Sequence, residues 1–561
     1  MAQECDVLVI GGGPAGTTVG ALLKRYQPSL RVLIVEREAF PRQHIGESQL
    51  SAVCRVLNEM GVWDKVEAAG FPVKIGSAYR WGTTDELWHV NFLPDEFKEE
   101  PRPGRFAGQR ALTAFQVDRS IYDKILLDHA RDVGCEVREQ TQAVEVHKDG
   151  DRIESIGICP AKGSEGEPET IAARYYVDAS GQSAYLQREM GVSVDSPTSL
   201  RNVAFWDYWQ NAEWAYSVGN GGTRALILSL GWGWVWFIPI TSTRTSIGLV
   251  TPASYYKDSK KTGEELYLRA LAEEPRVSQL IRNAQRENIF QATKDWSYIA
   301  DRLYGENWFL VGDTCGFADP ILSAGMTLAQ VGARKAAYTI LELERKELDA
   351  KWLKSEYNDS HRANIRQHIQ FADYWYAANG RFTELREYCA ELAKEAGLDL
   401  SPHRAFQWIG TGGFAGDTIA EIGALWAGFE TTRNVIKQFS GSPMTWQIGK
   451  NNRFCLNLDG SKPGKVAVYR GGRVMPVQCL RREGKILPMV GQNEFVCSVV
   501  GQVSDANEIV RQFRRFFGSN PQKFPKPEIP FRMAIEAWET LIAEGWITAS
   551  ENPDEPFLNL V

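Results

Sequence analysis

Three glycines, Gly11, Gly13 and Gly16, follow the apolar run CDVLVI at the spacing G-x-G-x-x-G, and Glu36 closes the next apolar run twenty residues beyond Gly16. The chemistry this pattern can do is dinucleotide binding. The first glycine permits the turn, the second lets the backbone approach a pyrophosphate, and the third lets helix and strand pack closely, while the acid reaches a ribose hydroxyl. With Ala15 these are the expected cofactor contacts of the N-terminus. A second loose match, GTGGFA at 410–415, lies among helical patterns with no strand and terminal acid following it, and reads as a turn. The other chemically loaded stretch is GWGWVWFIP, residues 231–239. As a strand it places Trp232, Trp234 and Trp236 on one face and Val235 and Phe237 on the other, with Pro239 ending it. Such a face is either sheet-core packing or an aromatic wall.

The elements that must position these residues follow from periodicity. The first 38 residues read as strand, glycine turn, helix and second strand, a βαβ unit. Strands are expected at 136–146, 175–177, 225–230, 235–240, 245–250 and 308–311, and helices at 49–60, 119–133, 262–272 and 324–341. The fold class predicted is α/β: a Rossmann-like domain of the glutathione-reductase type with an antiparallel β-sheet insertion, then a helical segment and a small mixed C-terminal region. The boundaries expected are 1–350 for the nucleotide domain, its sheet insertion near 75–110 and 195–295, then 351–450 for a helical lid or brace. Residues 451–561 form the mixed region, in which KVAVYR, MPVQCLRR and EFVCSVVGQVS read as strands and ANEIVRQFRRFFG and RMAIEAWETLIAEGWI as helices.

Downstream, YYVDASG (175–181) and FLVGDTCGFADP (309–320) each read as a strand ending in acidic or small residues. This order resembles the glutathione-reductase-like flavoproteins, which implies FAD and nominates Asp313 as a cofactor contact. Asp178 taken alone also reads as a helix cap. The segment Trp234-Val235-Trp236-Phe237-Ile238-Pro239 matches W-x-W-x-I-P, and Phe317, Pro320, Ser323 and Gly325 match F-x-x-P-x-x-S-x-G. With the glycine fingerprint, these two motifs resemble the flavin-dependent halogenases, over roughly residues 1–370. The closest likeness is to the branch acting on phenols, pyrroles and carrier-bound substrates.

The resemblance implies that reduced FAD, with oxygen, oxidises chloride, bromide or iodide to a hypohalous acid that halogenates an electron-rich aromatic ring. Trp234, Trp236, Ile238 and Pro239 would separate flavin from substrate, limiting access of water to the oxidant. The halide would sit on the backbone amides of Ala324 and Gly325, where a helix N-terminus favours anions. Gly325 would also contact the cofactor. Lys74, seven residues before Trp81, matches the family's catalytic lysine, which hydrogen-bonds hypohalous acid or reacts with it. Burial should lower its pKa. Arg42 and Ser48 in FPRQHIGES, and Arg119 with Gln116 in FQVDRS, match further FAD contacts. Where tryptophan halogenases carry a glutamate before the motif serine this chain has Leu322, which favours phenols and pyrroles over free tryptophan. His89, Tyr374 and Tyr376 could face a substrate, but a lone His or Tyr is more often a packing residue, and none is assigned to the site.

Composition narrows the rest. The net charge of -7 and scattered Lys and Arg argue against nucleic acid. Nine cysteines without a C-x-x-C pair indicate a reducing compartment and no metal site, and no apolar run reaches membrane-spanning length. A cytoplasmic enzyme is expected. It would be fed reduced FAD by a separate flavin reductase and take a small aromatic substrate, free or tethered to a carrier protein. The alternative on the same fold is an aromatic monooxygenase or a geranylgeranyl-reductase-like oxidoreductase.

Overall fold

The computed structural model describes residues 3–92, 113–161, 168–217, 222–294, 297–398, 429–441, 446–520, 522, 524 and 527–558. The chain divides into two compact units, Met1–Gly397 and Leu398–Val561. The GTGGFA turn lies outside the described residues.

In the first unit, Gln3–Ile10 forms the centre of a seven-stranded sheet because Val7, Leu8 and Val9 are apolar on both faces and fully buried. A parallel strand covered on both sides needs such a run. Val32–Val35 and Glu169–Asp178 flank it in parallel, and Glu136–Arg138 and Trp308–Leu310 extend the parallel order. Thr141–Asp149 and Arg152–Pro160 add an antiparallel hairpin. The expected strand at 136–146 is thus two strands, broken at Gln140, whose φ is +52°.

The fingerprint glycines are required by close approach. Gly11 has φ +113°, and a Cβ there would lie 2.2 Å from the Ala179 carbonyl oxygen. A Cβ on Gly16 would lie 2.0 Å from the Gly11 carbonyl oxygen, so helix Pro14–Tyr26 can sit this near the turn only with glycine there. That helix has proline in its first turn, no acidic residue there and no side-chain cap, leaving its first N–H groups to face the cavity described below.

The second layer is a nine-stranded sheet, mostly antiparallel, with a central order of Asn202–Gln210, Arg244–Pro252, Trp234–Pro239, Gly222–Ser229 and Val73–Arg80. Tryptophan placement departs from simple alternation here. Leu230 N–H bonds the Gly233 carbonyl at 2.8 Å, so the chain turns through 230–233 and the strand begins only at Trp234. Trp232 therefore falls on the opposite side. It joins the Val235, Phe237 and Tyr267 cluster, gives its indole N–H to Glu273 at 2.9 Å and stacks on Tyr255.

The helical segment expected at 351–450 is not one body. Helices Ala350–Ala377 and Arg386–Glu395 belong to the first unit, and Phe429–Ser440 to the second. In the second unit, Lys462–Arg470 and Arg473–Arg482 pair as an antiparallel hairpin and Arg453–Leu456 pairs with Ile547–Ser550. Helices Ala506–Gly518 and Glu528–Ala543 bury Phe513 and Trp538 against Phe454. The expected strand in EFVCSVVGQVS is instead helix Gly491–Val500. Val496, Cys497, Val499 and Val500 are its buried residues, a helical one-sided pattern that outweighs the β propensity of valine.

Gly16→Ala should cost about 2 kcal/mol or more, since neither backbone can yield without moving the helix. A lowered melting temperature and loss of flavin loading are the expected readings.

Candidate active site

A single cavity of about 1200 Å³ runs from the glycine turn to the face of the tryptophan strand. Of the cofactor contacts expected from sequence, Gly11, Gly13, Ala15, Glu36, Arg42, Ser48, Arg119, Asp313 and Gly325 line it. Gly16 does not, being used in helix packing. Gln116 is a correction: its side chain is fully buried in the sheet, donating to the Pro239 carbonyl at 2.7 Å and accepting from Ala225 N–H at 2.9 Å. It anchors the end of the tryptophan strand rather than facing the cavity.

Glu36 is held by Gly12 N–H at 2.7 Å and Glu38 N–H at 2.9 Å, which fixes its carboxylate at the cavity edge. Arg119 opens helix Arg119–Asp132. It is clamped by Asp123 at 2.7 and 2.9 Å and by the Ile45 and Gly46 carbonyls at 2.7 and 3.1 Å. Arg42 approaches the same Asp123 at 3.6 Å and packs over Phe40. Two guanidinium groups thus face the cavity on one buried carboxylate. Burial pushes Asp313 up to about 6, against the pull of Arg119. Asp178 is spent as a helix cap, accepting from Ser180, Leu186 and Gln187 N–H groups.

At the far end, Trp234, Trp236 and Ile238 face the cavity, joined by Trp206 from the strand beyond Arg244–Pro252 in the same sheet. Trp234 and Trp236 rings lie 6.0 Å apart, with Trp81 6.3 Å from the first and Trp206 6.5 Å from the second. The cavity-facing indoles therefore come from two strands, not from one run, and Trp81 packs against them outside the lining. Pro239 is buried behind it.

Ser323 closes the 3-10 turn Pro320–Leu322 with φ +56°, a left-handed conformation that costs a non-glycine residue about 1–2 kcal/mol. The N-cap position of the helix that follows is Ala324, not Ser323. Ala324 precedes helix Gly325–Arg345, which has no side-chain cap and no acid in its first turn, so its amides are open to an anion. Ser323 and Gly325 line the cavity, whereas Ala324 is buried beside them. Lys74, on strand Val73–Arg80, is fully buried and donates to Ser323 Oγ at 3.3 Å, with its ammonium 5.4 Å from the Phe92 ring. Desolvation lowers its pKa to about 7.

Sequence reasoning missed two buried carboxyls beside these motifs. Glu47, adjacent to Ser48, lines the cavity and is pushed up to about 7 by burial, with Ser246 and Tyr208 hydroxyls as partners. Asp319, within the second motif, is pushed up to about 6 by burial and accepts from Ile321 N–H at 2.9 Å, Asn202 Nδ2 at 3.1 Å and Tyr376 Oη at 3.1 Å. The GES and ADP tripeptides were the available signals. Tyr376 belongs to the site's framework; Tyr374 is buried, and His89 bonds Tyr216 at 3.1 Å away from the cavity lining.

The geometry fits FAD. The cavity lies at the open end of an uncapped helix, a Cβ on Gly13 would press on Arg42 at 3.3 Å, and buried Ser48 Oγ and Tyr185 Oη at its edge have no partner among the described residues. Among the described residues no His, Cys, Asp or Glu group could hold a metal ion, and all nine cysteines are free.

The fold and site define an FAD-dependent oxidoreductase, and the FAD binding domain family matches residues 4–372. A tryptophan 2-halogenase of Chondromyces crocatus is 31% identical over 384 residues, 68% of this chain and 69% of that protein. A 1H-pyrrole-2-carbonyl peptidyl-carrier-protein chlorinase of Pseudomonas fluorescens is 30% identical over 68% of this chain and 85% of its own length. Among solved structures, the myxobacterial chondrochloren halogenase CndH superposes with TM-score 0.60 at 29% identity, over 70% of this chain and 90% of that one. The flavin-dependent halogenase CmlS shares the fold over 100% of this chain and 98% of its own, with TM-score 0.72 at 22% identity. The chain belongs to the flavin-dependent halogenases, enzymes that use FAD and halide, which sets aside the monooxygenase and reductase alternatives. No helix among the described residues is long and apolar enough to cross a membrane.

Lys74 gives a pH signature. Between the folded value of about 7 and the ordinary lysine value of 10.5, the unfolded chain carries a proton that the folded chain does not. Stability attributable to this site therefore rises with pH across that window. The stability gap between wild type and Lys74→Met should narrow as pH rises from 7 towards 10, measured by denaturant titration. A gap constant with pH would mean that the amine is solvated.

Proposed function

We propose that this halogenase modifies an electron-rich aromatic ring, a phenol or pyrrole before an indole, with Lys74 as its catalytic residue and Ala324 and Gly325 as its halide contacts. The observation that carries this reading is the hydrogen bond from buried Lys74 to Ser323, the residue immediately before those two amides. It joins a cation to an uncapped helix N-terminus inside a protein of net charge -7. Both features attract an anion.

Bound FAD, in its reduced form and with dioxygen, supplies the oxidation of halide to hypohalous acid. The chain supplies the rest. Gly11, Gly13, Ala15 and the open helix end hold the pyrophosphate, Glu36 the ribose, and Arg42, Ser48, Arg119 and Asp313 the remaining polar groups. Trp234, Trp236 and Ile238 keep aromatic substrate off the flavin and limit water, so that a small halide has preferred access to the oxidant. Lys74, with a pKa near 7, has a substantial neutral fraction at neutral pH. As the neutral amine it can accept a hydrogen bond from hypohalous acid, or form an N–halogen bond with release of water.

Leu322 stands where a general base would sit for free tryptophan, and a ring activated by its own heteroatom needs less help from such a base. The relatives' names span a tryptophan, a carrier-bound pyrrole and sulochrin. We infer a separate flavin reductase as partner, and a substrate either free or carrier-tethered. We place the enzyme in the cytoplasm. In the second unit, residues 451–561 have no assigned step.

The decisive assay is mass spectrometry of reactions with FAD, a generic reductase, NADH, oxygen and bromide against phenols, pyrroles and indoles. A product with the bromine isotope doublet is expected, strongest with phenols or pyrroles. Lys74→Ala should lose it while binding FAD as wild type does; a wild-type rate would remove Lys74 from the mechanism. Trp236→Ala should release more hydrogen peroxide per NADH consumed, and unchanged coupling would contradict the wall's role.

A further inference from the structure

We propose that Tyr376 and Asp319 are positioning residues, forming a buried chain that holds the wall indole of Trp234 in register with the Ser323–Gly325 loop. The inference rests on reading that loop as the halide site. Trp234 Nε1 donates to Tyr376 Oη at 2.7 Å, and Tyr376 Oη donates to the Asp319 carboxylate, with oxygens at 3.1 and 3.2 Å. The polarity of the chain is fixed by its ends. An indole N–H can only donate and an ionised carboxylate can only accept, so the single hydroxyl proton between them must point to Asp319.

Asp319 is also the residue that shapes the loop. Its Oδ1 accepts from Ile321 N–H at 2.9 Å and so caps the turn Pro320–Leu322, at whose end Ser323 adopts φ +56°. One carboxylate thus binds the turn that presents Ala324 and Gly325, and through Tyr376 it binds the indole facing the cavity. A third element is tied in by Asn202 Nδ2, which donates to Asp319 at 3.1 Å from the strand that carries Trp206. Tyr376 has little freedom to do otherwise. It sits at the end of helix Ala350–Ala377, and Trp81 packs edge-on against its ring at 5.7 Å and against Trp234 at 6.3 Å.

The consequence is mechanical. A left-handed serine persists only where its surroundings over-determine it. Releasing the carboxylate's partners lets Ser323 relax and shifts the two amides relative to the wall, and small misplacements at a reacting centre carry large rate penalties. The residues act through the loop and the indole without touching halide.

The test uses Tyr376→Phe, which keeps the ring and removes both hydrogen bonds, in the full-length protein. The apo protein should show altered near-UV circular dichroism from the unpaired indole, with FAD affinity within about twofold of wild type. The bromide KM should rise about tenfold, the equivalent of one such hydrogen bond, while the KM for the aromatic substrate stays level and peroxide release increases. Asp319→Asn provides the second variant should Tyr376→Phe fold poorly. It retains an acceptor for Ile321 but presents an amide to Tyr376, and a smaller change in the same direction is expected. Unchanged bromide KM and coupling in a folded variant would overturn the proposal, as would a loss confined to FAD affinity. A wild-type rate that does not saturate with bromide would overturn the halide reading itself, and the dichroism change would then stand as evidence for the clamp alone.

Discussion

Two indole N–H groups buried side by side at a cavity wall have to be satisfied without water, and the arrangement of the catalytic half of the molecule follows from how this is done. Trp234 gives its proton to Tyr376 at 2.7 Å and Trp236 gives its proton to Ser246 Oγ at 3.1 Å. Each hydroxyl in turn has a buried carboxyl as partner, Asp319 in the first case and Glu47 in the second. Unsatisfied, each N–H would cost about 1–3 kcal/mol. Satisfied in this way, each indole is tied to a different functional loop. Asp319 belongs to the turn before the Ser323–Gly325 amides, and Glu47 neighbours the cavity-lining Arg42 and Ser48, proposed above as cofactor contacts. The wall is consequently a shared frame of reference for both loops.

Electrostatics follows a similar economy. In a chain of net charge -7, Arg119 and Lys74 are buried at the cavity and Arg42 is half-buried. Arg119 and Arg42 share Asp123, which neutralises part of their charge while leaving guanidinium edges at the cavity. Lys74 meets, among the described residues, the Ser323 hydroxyl and the face of Phe92, and burial lowers its proton affinity. The contrast separates two tasks. A guanidinium paired with a carboxylate can hold an anion without changing protonation, whereas a buried amine beside a hydroxyl can be neutral near pH 7.

What the sequence disclosed was what local chemistry dictates. The glycine turn, its helix and Glu36 lie within one βαβ unit, so spacing alone fixes them. The motif residues around Ser323 were legible for the same reason. Trp232 was misplaced because alternation presumes an unbroken strand, and the Gly231–Gly233 turn breaks it. Gln116 was nominated by its match to a family segment beside Arg119, and its amide is spent instead on Pro239 and Ala225. The partnership of Trp234 with Tyr376 spans 142 residues and that of Lys74 with Ser323 spans 249, and neither leaves a periodic trace. In the second unit the valine-rich helix 491–500 was read as a strand because β-branched residues outweighed the one-sided spacing of its buried positions.

Ser323 is where these lines meet. Its backbone conformation costs stability, its hydroxyl accepts the Lys74 proton, and its successors Ala324 and Gly325 begin the helix whose amides are uncapped. Glycine would remove the strain at φ +56° but also the hydroxyl, taking from buried Lys74 the acceptor that the loop supplies. A larger side chain would retain the strain and crowd the cavity that Ser323 lines. Serine is small enough to leave room, polar enough to hold the lysine, and strained only to the extent that Asp319 and its neighbours can compensate. The cost in folding energy at this residue is therefore inseparable from the placement of the lysine and the two amides, and the strain that glycine would relieve is offset by the acceptor that it would take from Lys74.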